Sequence, residues 1–482
     1  MSRHRQLHPA AALAAPLLLG LLRPALAQDD AASLYQRNCA GCHGPARQGT
    51  GLGPALSPAT YRYGGSRDDL ARIITRGIPS QGMPAFGGTL SPADIAALAA
   101  FLPARRVAGA GEPEPDTTPR PFDPVPGPVQ ALDYTVQVEV FADGLQTVWA
   151  LAFLDARTAL ATERGGRLRL IRDGVLDPRP IQGTPTVHVS SHEWNQGGLL
   201  DIALPPDFAD SGWIYLSYSH RLGSDTEGRD LVMTRVVRGR LRSHAWVDEE
   251  VVFQAPAAAY SATAWHYGGR MAFAPDGQLL LPVGDRGTME RARDPADPAG
   301  KIHRLAVPAA AGARPAASLH SRGHRNPQGM AVDPGSGRVW ATEHGPRGGD
   351  ELNLIRAGAD YGWPIASHGI NYDGTVLTPH TRLDGTEQPV HFWRPSIGVS
   401  GLAFYQGEAF PLWNGKLLVT ALGRRELRLL TLDGERVQHE ETLLRTRGRP
   451  YEPVVGPDGA IYVVTDDPGQ ILRLRPLREQ RQ

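Results

Sequence analysis

Residues 270–285 read RMAFAPDGQLLLPVGD, and this stretch contains the pattern on which the prediction of the fold depends. A short apolar run is followed by a Pro-Asp-Gly turn and then by a second run rich in Leu and Val. Apolar runs of about four to eight residues bounded by turn residues are typical of β-strands. The stretch therefore predicts two short strands joined by a tight turn.

Loosely similar phrases recur along the second part of the chain, each with a strand, a turn and a second strand rich in Leu, Val and Tyr. The other copies span 150–163, 200–219, 329–345, 401–422 and 453–467. Six copies in roughly 350 residues leave about 58 residues for each, which is enough for a four-stranded blade with variable loops. The spacing favours an all-β six-bladed β-propeller over residues 129–478. A β-sandwich with coincidental turns is the alternative.

The composition excludes several classes of protein. The 482 residues include 55 glycines and 42 prolines, about a fifth of the chain, which argues against a helical bundle. Basic and acidic residues balance at 50 each, so no surplus charge indicates a nucleic acid or an anionic membrane as partner. Apolar residues make up 41% of the chain, which excludes general disorder.

The first 27 residues have the features of a cleaved signal peptide. Arg3 and Arg5 provide a basic start, residues 10–22 are apolar, and residues 25–27 form a small-residue cleavage site. The apolar stretch is short for a membrane span, although a membrane anchor is the alternative. We therefore expect an exported, periplasmic protein with no membrane span in the mature chain.

Residues 28–104 are expected to form a small all-α domain. Ser66 and Ser91 are suited to cap two helices that carry apolar stripes. The composition then changes, because eight prolines lie among polar residues between 103 and 128. Such a segment is typical of an extended, semi-rigid linker, which we place at 105–128.

Both cysteines lie in the sequence Cys39-Ala40-Gly41-Cys42-His43. Two thiols at this spacing can form thioether bonds with the vinyl groups of a haem, and the histidine that follows becomes an axial ligand of the iron. A zinc half-site would need two more soft ligands, and no second cysteine pair exists. A redox disulfide would need a βαβ context and would have no use for His43. The motif predicts covalently bound haem c.

Met83, in the segment GMPAF, is the candidate for the sixth ligand of the iron. A thioether ligand raises the potential, which suits an electron carrier, whereas a methionine that fills the core is the alternative. The whole segment resembles class I cytochromes c, with CxxCH on an N-terminal helix, a methionine loop and a terminal helix. The resemblance implies that His43 and Met83 are the axial ligands.

Polar clusters stand between the strands of the predicted propeller. They are NQGG at 195–198, WHYGGR at 265–270, GDRG at 284–287, HRNPQG at 324–329 and EHGPRGGDE at 343–351. A propeller carries inter-strand loops on one face, around the axial channel that usually holds the ligand. Gly-rich loops with His, Arg, Asn and carboxylates suit a polar, anionic ligand and acid–base chemistry, and solvated surface loops are the alternative.

Four phrases, GHRNPQGM, EHGPRGGDELNLI, YGWPIASHGINY and NQGGLLDIALPPDF, closely resemble the soluble PQQ-dependent aldose sugar dehydrogenases of the glucose/sorbosone dehydrogenase family. The resemblance covers essentially the whole second domain. It implies a six-bladed propeller that holds pyrroloquinoline quinone (PQQ) and calcium in an axial cleft and oxidises a sugar or a related aldehyde.

The resemblance also implies roles for individual residues. His266 matches the general base, Asp285 the residue that orients and polarises it, and Arg325 a cation that stabilises charge on the quinone oxygen. The positions that match quinone contacts are Gln196, Arg325, Asn326, Gln328, Tyr372 and Arg449. The positions that match calcium ligands are the carbonyls of Gly345 and Pro346 and, at a second, structural site, Glu351 and the carbonyl of Tyr361.

The implied reaction removes a proton from the anomeric hydroxyl and a hydride from C1, and yields a lactone and the reduced quinone. A haem on the same chain is a suitable acceptor for the two electrons, and a periplasmic cytochrome, cupredoxin or oxidase would take them onward. A propeller hydrolase such as a lactonase, which has no use for a haem, is one alternative. A non-catalytic sugar-binding or electron-transfer protein is the other.

Two positions depart from the family pattern. Gly423, followed by Arg424 and Arg425, stands where the family usually has a quinone-binding lysine. Tyr451 stands at the second arginine of the family's Arg-x-Arg-Asp sequence, so only Arg449 matches it. The carboxylates of the cofactor are therefore expected to be held differently or less tightly.

Overall fold

The computed structural model describes residues 23–45, 47, 53, 56, 67–78, 83–102, 122–307 and 316–477. The chain forms two compact units, Met1–Thr118 and Pro119–Gln482. Residues 1–22 of the expected signal peptide and residues 105–121 of the expected linker lie outside the described residues.

The described part of the first unit is helical. Its helices are α1 (Arg23–Asn38), α2 (Ala40–His43), α3 (Arg67–Arg76) and α4 (Pro92–Phe101). Ser91 caps α4, because its side chain accepts a hydrogen bond from the backbone N–H of Asp94 while the Asp94 carboxylate accepts one from the Ser91 N–H. The predicted helix start at Ser91 is thus confirmed, whereas Ser66 lies outside the described residues.

The helices of the first unit pack around a small apolar core. Its members are Tyr35, Leu70, Ile74, Ile95, Leu98, Ala99 and Leu102. Gly77 ends α3 with a φ of 67°, and a Cβ there would lie 2.6 Å from the carbonyl oxygen of Met83, so the methionine loop can close against α3 only at a glycine. None of the helices described in the chain has the length and apolar character that a membrane crossing requires.

The second unit is the predicted six-bladed propeller. Strands β1 (Gly127–Gln130) and β2 (Thr135–Leu145) come first in the chain and join the last blade. The first blade contains β3 (Val148–Phe153), β4 (Thr158–Glu163), β5 (Arg167–Arg172) and β6 (Val175–Leu176). The second contains β7 (Leu199–Ala203), helix α5 (Phe208–Ser211), β8 (Ile214–Ser224), β9 (Asp230–Arg242) and β10 (Ala245–Gln254).

The remaining blades follow the same order. The third contains β11 (Ala272–Phe273), β12 (Leu279–Val283), β13 (Lys301–Leu305) and β14 (Ala317–Arg322). The fourth contains β15 (Pro327–Val332), β16 (Val339–Glu343), β17 (Asp350–Ile355) and β18 (His391–Trp393). The fifth contains β19 (Val399–Phe404), β20 (Leu417–Ala421), β21 (Glu426–Asp433) and β22 (Arg436–Arg445). The sixth contains β23 (Pro450–Val455), β24 (Ile461–Asp466) and β25 (Gly469–Pro476), followed by β2 and β1.

Each of the six repeated sequence phrases covers most of the first two strands of one blade. The pattern was detectable because these strands are nearly all buried, as in β12 and β20, where every residue is buried. The outer strands contain both buried and exposed positions without a regular pattern, as β10 does, and vary more in length.

The ring of blades is closed by strands from both ends of the second unit. β2 pairs antiparallel with β25, with Val136 opposite Pro476 and Leu145 opposite Gly469. The chain joins the propeller earlier than expected. Asp123 exchanges hydrogen bonds with the backbone of Arg445, at the end of β22 in the fifth blade, and β1 begins at Gly127 in the sixth. Residues 122–128 of the expected linker therefore belong to the propeller.

Buried hydroxyl groups tie neighbouring blades together near the axis. Thr162 in β4 donates to the carbonyl of Leu200 at 2.6 Å, and Ser217 in β8 donates to that of Gly269 at 2.7 Å. Thr342 in β16 donates in the same way to Ser400. Because each hydroxyl satisfies a buried carbonyl of the next blade, it also fixes the position of that blade's first strand.

Candidate active site

The polar clusters predicted to form the site meet at one end of the propeller axis. Three of the residues lie shortly before the first strand of a blade: Gln196 in blade two, His266 in blade three and Arg325 in blade four. Asp285 and His344 directly follow the second strands of blades three and four. The start of a first strand and the end of an antiparallel second strand lie at the same edge of a blade, so the fold brings all five together.

His266 and Asp285 form the central pair of the site. The imidazole Nδ1 of His266 lies 2.7 Å from Oδ1 of Asp285, and His266 is only 9% exposed. The other carboxylate oxygen of Asp285 accepts a hydrogen bond of 2.8 Å from Nε1 of Trp363. Because Asp285 accepts at Nδ1, the proton of the neutral imidazole is held there and the lone pair is on Nε2.

The electrostatics of this pair suit a base that is neutral at physiological pH. Burial, and then the nearby charge of Arg325, lower the pKa of His266 to about 4, against the opposing effect of Asp285. Burial by itself would raise the pKa of Asp285, but the hydrogen bond and charge of His266 together with Arg325 hold this pKa below its ordinary value. The site thus contains a neutral imidazole beside a charged carboxylate.

Three predicted quinone contacts form a connected group of amides. The Oε1 atom of Gln196 accepts the backbone N–H of His266 at 2.8 Å and the amide of Asn326 at 3.4 Å. Oδ1 of Asn326 in turn accepts from the N–H of Gly268 at 3.2 Å and from Nε2 of Gln328 at 3.1 Å. These side chains therefore hold the loop that carries His266, in addition to their predicted role as quinone contacts.

Arg325 is held from two directions. Its backbone N–H donates to the carboxylate of Glu343, and Nη1 donates to the carbonyl of His344 at 3.2 Å. Its guanidinium carbon lies 5.3 Å from the ring centroid of Trp363, and the residue is 8% exposed. A nearly buried cation beside His266 favours an anionic ligand.

The other two predicted quinone contacts lie nearer the rim. Arg449 is exposed directly before β23, and its charge lowers the pKa of His344, after the larger effect of burial. Tyr372 is 63% exposed, on a loop joined to the 344–349 loop by two hydrogen bonds of 3.0 Å between the backbones of Arg347 and Ile370. Neither side chain makes a described hydrogen bond to His266.

The four predicted calcium ligands line one small cavity, together with Glu343 and His344. They are Gly345, Pro346, Glu351 and Tyr361. Burial and then the charge of Glu343 raise the pKa of Glu351 to about 8, against the opposing hydrogen bond that the side-chain amide of Asn353 donates to this carboxylate at 3.1 Å. No group of three or more His, Cys, Asp or Glu suited to a metal occurs in the described parts of the chain. A carboxylate supplemented by carbonyl oxygens fits a hard cation such as calcium rather than zinc.

Two participants of the site were not predicted from the sequence. Trp363 lies within the YGWP phrase but is separated from Asp285 by 78 positions, so no local pattern indicates their hydrogen bond. His344 lies in the EHGPRGG cluster, is partly buried, and contributes to the lowering of the pKa of His266. Its position directly before the predicted calcium ligands was the only signal available.

The two departures from the family pattern are structurally distinct. A Cβ added to Gly423 would lie 2.8 Å from the carbonyl oxygen of Ile397, so a larger residue requires this backbone to move. Tyr451 is only 5% exposed and belongs to the apolar core shared by the first two blades. Neither position presents a cation, and in the described parts of the chain Arg424, Arg425 and Arg449 form no ion pair.

The residues of the predicted haem site lie in the first unit. His43 ends α2 and is 9% exposed, and a Cβ on Gly53 would lie 3.0 Å from two atoms of its ring. Met83 packs with Cys39 against the apolar core of the unit. Burial, and then the neighbouring Cys42, raise the pKa of Cys39 to about 11, which is unlike the lowered pKa of a redox-active thiol. The residues present fit thioether attachment of a haem.

Residues 145–473 match the family model for glucose / sorbosone dehydrogenase. The chain is 41% identical over 365 residues to aldose sugar dehydrogenase YliI of Escherichia coli, covering 72% of this chain and 94% of that protein. The crystal structure of the soluble aldose sugar dehydrogenase from E. coli in the apo-form aligns with a TM-score of 0.63 and 38% identity, over 71% of this chain and all of that one. The PQQ-bound aldose sugar dehydrogenase from Streptomyces coelicolor aligns with a TM-score of 0.57 and 26% identity, over 70% of this chain and 98% of that one.

Residues 26–102 match a second family model, that of subunit III of cbb3-type cytochrome c oxidase. Cytochrome c6 of Microcystis aeruginosa is 35% identical over 82 residues, which is 17% of this chain and 99% of that protein. The propeller, its site and these matches lead to one conclusion. The chain belongs to the glucose/sorbosone dehydrogenase family and carries a cytochrome c domain in front of its propeller.

Proposed function

We propose that this chain is a periplasmic, PQQ-dependent sugar dehydrogenase. It oxidises the C1 hydroxyl of an aldose to a lactone, or acts on a related aldehyde, and passes the electrons to its own haem c. When bound, PQQ supplies an electrophilic carbonyl carbon that accepts the hydride. The observation that carries the proposal is the buried His266–Asp285 pair beside Arg325 at the mouth of the propeller axis.

His266 acts as the general base. Its Nε2 takes the proton of the anomeric hydroxyl, while Asp285 keeps the proton on Nδ1 and stabilises the imidazolium that forms. Trp363 holds the second oxygen of Asp285, so the carboxylate cannot turn away from the ring. This arrangement resembles the base and orienting carboxylate of other proton-abstracting enzymes in role, although the fold is different.

Cations around the site would hold and polarise the anionic cofactor. Arg325 lies next to His266 and is fixed by Glu343 and by the carbonyl of His344. The carbonyls of Gly345 and Pro346 would bind the calcium that accompanies the cofactor, and Glu351 with the carbonyl of Tyr361 would bind the second, structural calcium. Preorganised positive charge of this kind stabilises negative charge that develops during hydride transfer.

The cytochrome domain supplies the route by which electrons leave. Cys39 and Cys42 would attach the haem covalently, with His43 and Met83 as axial ligands of the iron. A tether between two modules raises their effective concentration into the mM range for short flexible linkers. A periplasmic cytochrome, cupredoxin or oxidase would then accept the electrons.

The decisive experiment is a substrate screen on full-length protein that carries haem and has been reconstituted with PQQ and calcium. Reduction of the haem is followed by absorbance after addition of aldoses or aldehydes. We expect one or more sugars to reduce the haem only when PQQ is present, and a lactone to form. Haem that stays oxidised with every sugar while an artificial dye is reduced would overturn the intramolecular route. Failure to reduce either acceptor would overturn the dehydrogenase function.

A further inference from the structure

Arg286, the residue directly after Asp285, is fully buried, with 0% exposure. Among the residues that the structure describes, none forms an ion pair with it. Its guanidinium is surrounded instead by neutral groups: Nη1 donates to the carbonyl of Trp265, and Nη2 donates to the carbonyl of Thr263. The guanidinium carbon lies 3.6 Å from the ring centroid of Tyr267. A buried cation without a carboxylate partner is costly, so its presence calls for a function.

The carbonyls that Arg286 binds belong to the connection between β10 and β11, which carries His266. This connection spans residues 255–271, and apart from one short 3₁₀ turn it has no regular structure. Trp265 lies directly before His266, Thr263 lies three residues before it, and Tyr267 lies directly after it. Arg286 therefore contacts the residue before the base, the residue after it, and the start of the same turn.

The backbone at His266 needs such support. His266 has a φ of 57°, in the left-handed region that residues other than glycine seldom adopt. Conformations of this kind persist only where the surroundings determine them. Gln196 holds the N–H of His266 from blade two, and Arg286 holds the preceding carbonyl from blade three.

We propose that Arg286 is a positioning residue, which fixes the conformation of the 263–267 turn and so places the His266 imidazole at its partner Asp285. The inference rests on the proposed function, because it assigns His266 the role of the base. A planar guanidinium suits the task, since its donors point in fixed directions and can reach the carbonyls of Thr263 and Trp265 while its face lies on the ring of Tyr267. Two successive residues thereby fix the base: Asp285 fixes the orientation of the His266 imidazole, and Arg286 fixes the backbone conformation of the turn that carries it.

A matched control is available in Arg291. Its Nη2 donates at 2.7 Å to the carbonyl of Ala259, in the same connection but away from His266, and its guanidinium pairs with Asp297. Replacing Arg291 removes an anchor of the same segment without touching the turn at the base. It separates loss of general loop stability from loss of position at His266.

The experiment compares Arg286→Gln, Arg286→Lys and Arg291→Gln in full-length protein loaded with haem, PQQ and calcium. For Arg286→Gln we expect kcat to fall about 10- to 100-fold, the usual effect of a small misplacement of a catalytic group. KM for the sugar and the affinity for PQQ should stay within about twofold, because neither binding site is removed. Arg286→Lys should recover only a small part of the loss, because an ammonium lacks the planar fork that reaches both carbonyls while its face lies on Tyr267. Arg291→Gln should lower Tm without lowering kcat.

A folded Arg286→Gln variant with unchanged kcat would overturn the proposal, as would an equal fall of kcat in Arg291→Gln. If Arg286→Gln does not fold, Gly287→Ala decides, because a Cβ there would lie 2.8 Å from Nε1 of Trp265 and displace the same turn with Arg286 intact. An unchanged kcat in Gly287→Ala would then overturn it. If the native protein oxidises no sugar, the proposed function fails. The positioning role can still be tested then, because the NMR signals of the His266 imidazole in apo-protein report whether Arg286→Gln moves this side chain.

Discussion

Nδ1 of His266 lies 2.7 Å from Oδ1 of Asp285, although the two residues are separated by 19 positions and by the whole first hairpin of blade three. His266 precedes that hairpin and Asp285 follows it, so the two strands act as a rigid spacer that returns the chain to its starting edge. The result is a base whose tautomer is fixed by the fold itself rather than by a mobile loop.

Removing either member of this pair should abolish most of the activity. For His266→Ala we expect kcat to fall about 10²- to 10⁴-fold, the usual contribution of a general base, with PQQ still bound. Asp285→Asn should cost a similar factor, because an amide facing Trp363 and His266 cannot accept from both and favours the wrong tautomer. Steady-state kinetics measures both, with the exposed His380→Ala as control. Unchanged turnover in His266→Ala would remove this residue from the mechanism.

The pH dependence of kcat/KM should report the lowered pKa of His266. Burial and Arg325 place this pKa at about 4 in the free protein, and the base works only when it is deprotonated. The His266 contribution should therefore be constant from about pH 5 upward and fall about tenfold per pH unit below about pH 4. A rate profile with stopped-flow mixing at low pH measures it. An acid limb near the ordinary histidine pKa of about 6.5 would contradict this prediction.

Calcium should stabilise the propeller through Glu351. A ligand at about a hundred times its Kd raises the free energy of unfolding by about 2.7 kcal/mol. We expect EDTA to lower Tm of the native protein and to leave that of Glu351→Gln unchanged, because the variant lacks the carboxylate in the cavity. Thermal unfolding with and without calcium measures the effect, and the exposed Glu193→Gln serves as control. Equal responses of native protein and Glu351→Gln to calcium would place the ion elsewhere.

Arg449 should hold the cofactor more than its neighbour Arg447 does. Both arginines are exposed, but it is the charge of Arg449 that acts on the site. Burial lowers the pKa of His344, and the charge of Arg449 adds to this effect. Burial raises the pKa of Tyr451, and the charge of Arg449 opposes this effect. Loss of a cation that pairs with a carboxylate costs about 1.5–3 kcal/mol, so Arg449→Ala should weaken PQQ binding roughly 10- to 100-fold. Titration of apo-protein with PQQ measures this, and Arg447→Ala should bind normally. Equal affinities for the two variants would contradict the placement of the cofactor.

Restoring the family's lysine at Gly423 should destabilise the propeller, because the backbone around this position is close-packed. A lysine there would bring its Cβ within 2.8 Å of the Ile397 carbonyl. We therefore expect Gly423→Lys to lower Tm rather than to tighten PQQ binding. Thermal unfolding and the same PQQ titration test this, and tighter binding without loss of Tm would show that the 397–398 backbone moves freely.

Met83 should set the potential of the haem without being needed for its attachment. Met83→Ala removes the thioether that favours reduced iron, so the midpoint potential should fall while the haem remains covalently bound. Replacing both Cys39 and Cys42 with alanine should instead leave haem that acid–acetone extracts. Redox titration and the extraction test measure the two effects. An unchanged potential in Met83→Ala would mean that another group is the sixth ligand.

Local patterns in the sequence were sufficient for the features that depend on residues close together in the chain. The CAGCH motif places two cysteines and a histidine within five positions, and Ser91 with Asp94 forms the N-terminal cap of α4 within one turn of helix. The repeated strand pairs were recognisable for the same reason. Two adjacent buried strands impose an apolar pattern on consecutive residues, and six copies of it indicated the number of blades.

Contacts between residues that are far apart in the sequence were determined only by the tertiary structure. Trp363 donates a hydrogen bond to Asp285, 78 positions away in the sequence. Arg286 binds backbone carbonyls of the turn before His266, and a backbone carbonyl has no sequence signature. The closure of the ring, in which β2 pairs with β25, likewise joins the two ends of the second unit. Sequence determined which chemical groups stand on which loops. Only the closed ring of blades determined which loops meet, because that depends on the angle between blades and on irregular connections without periodicity.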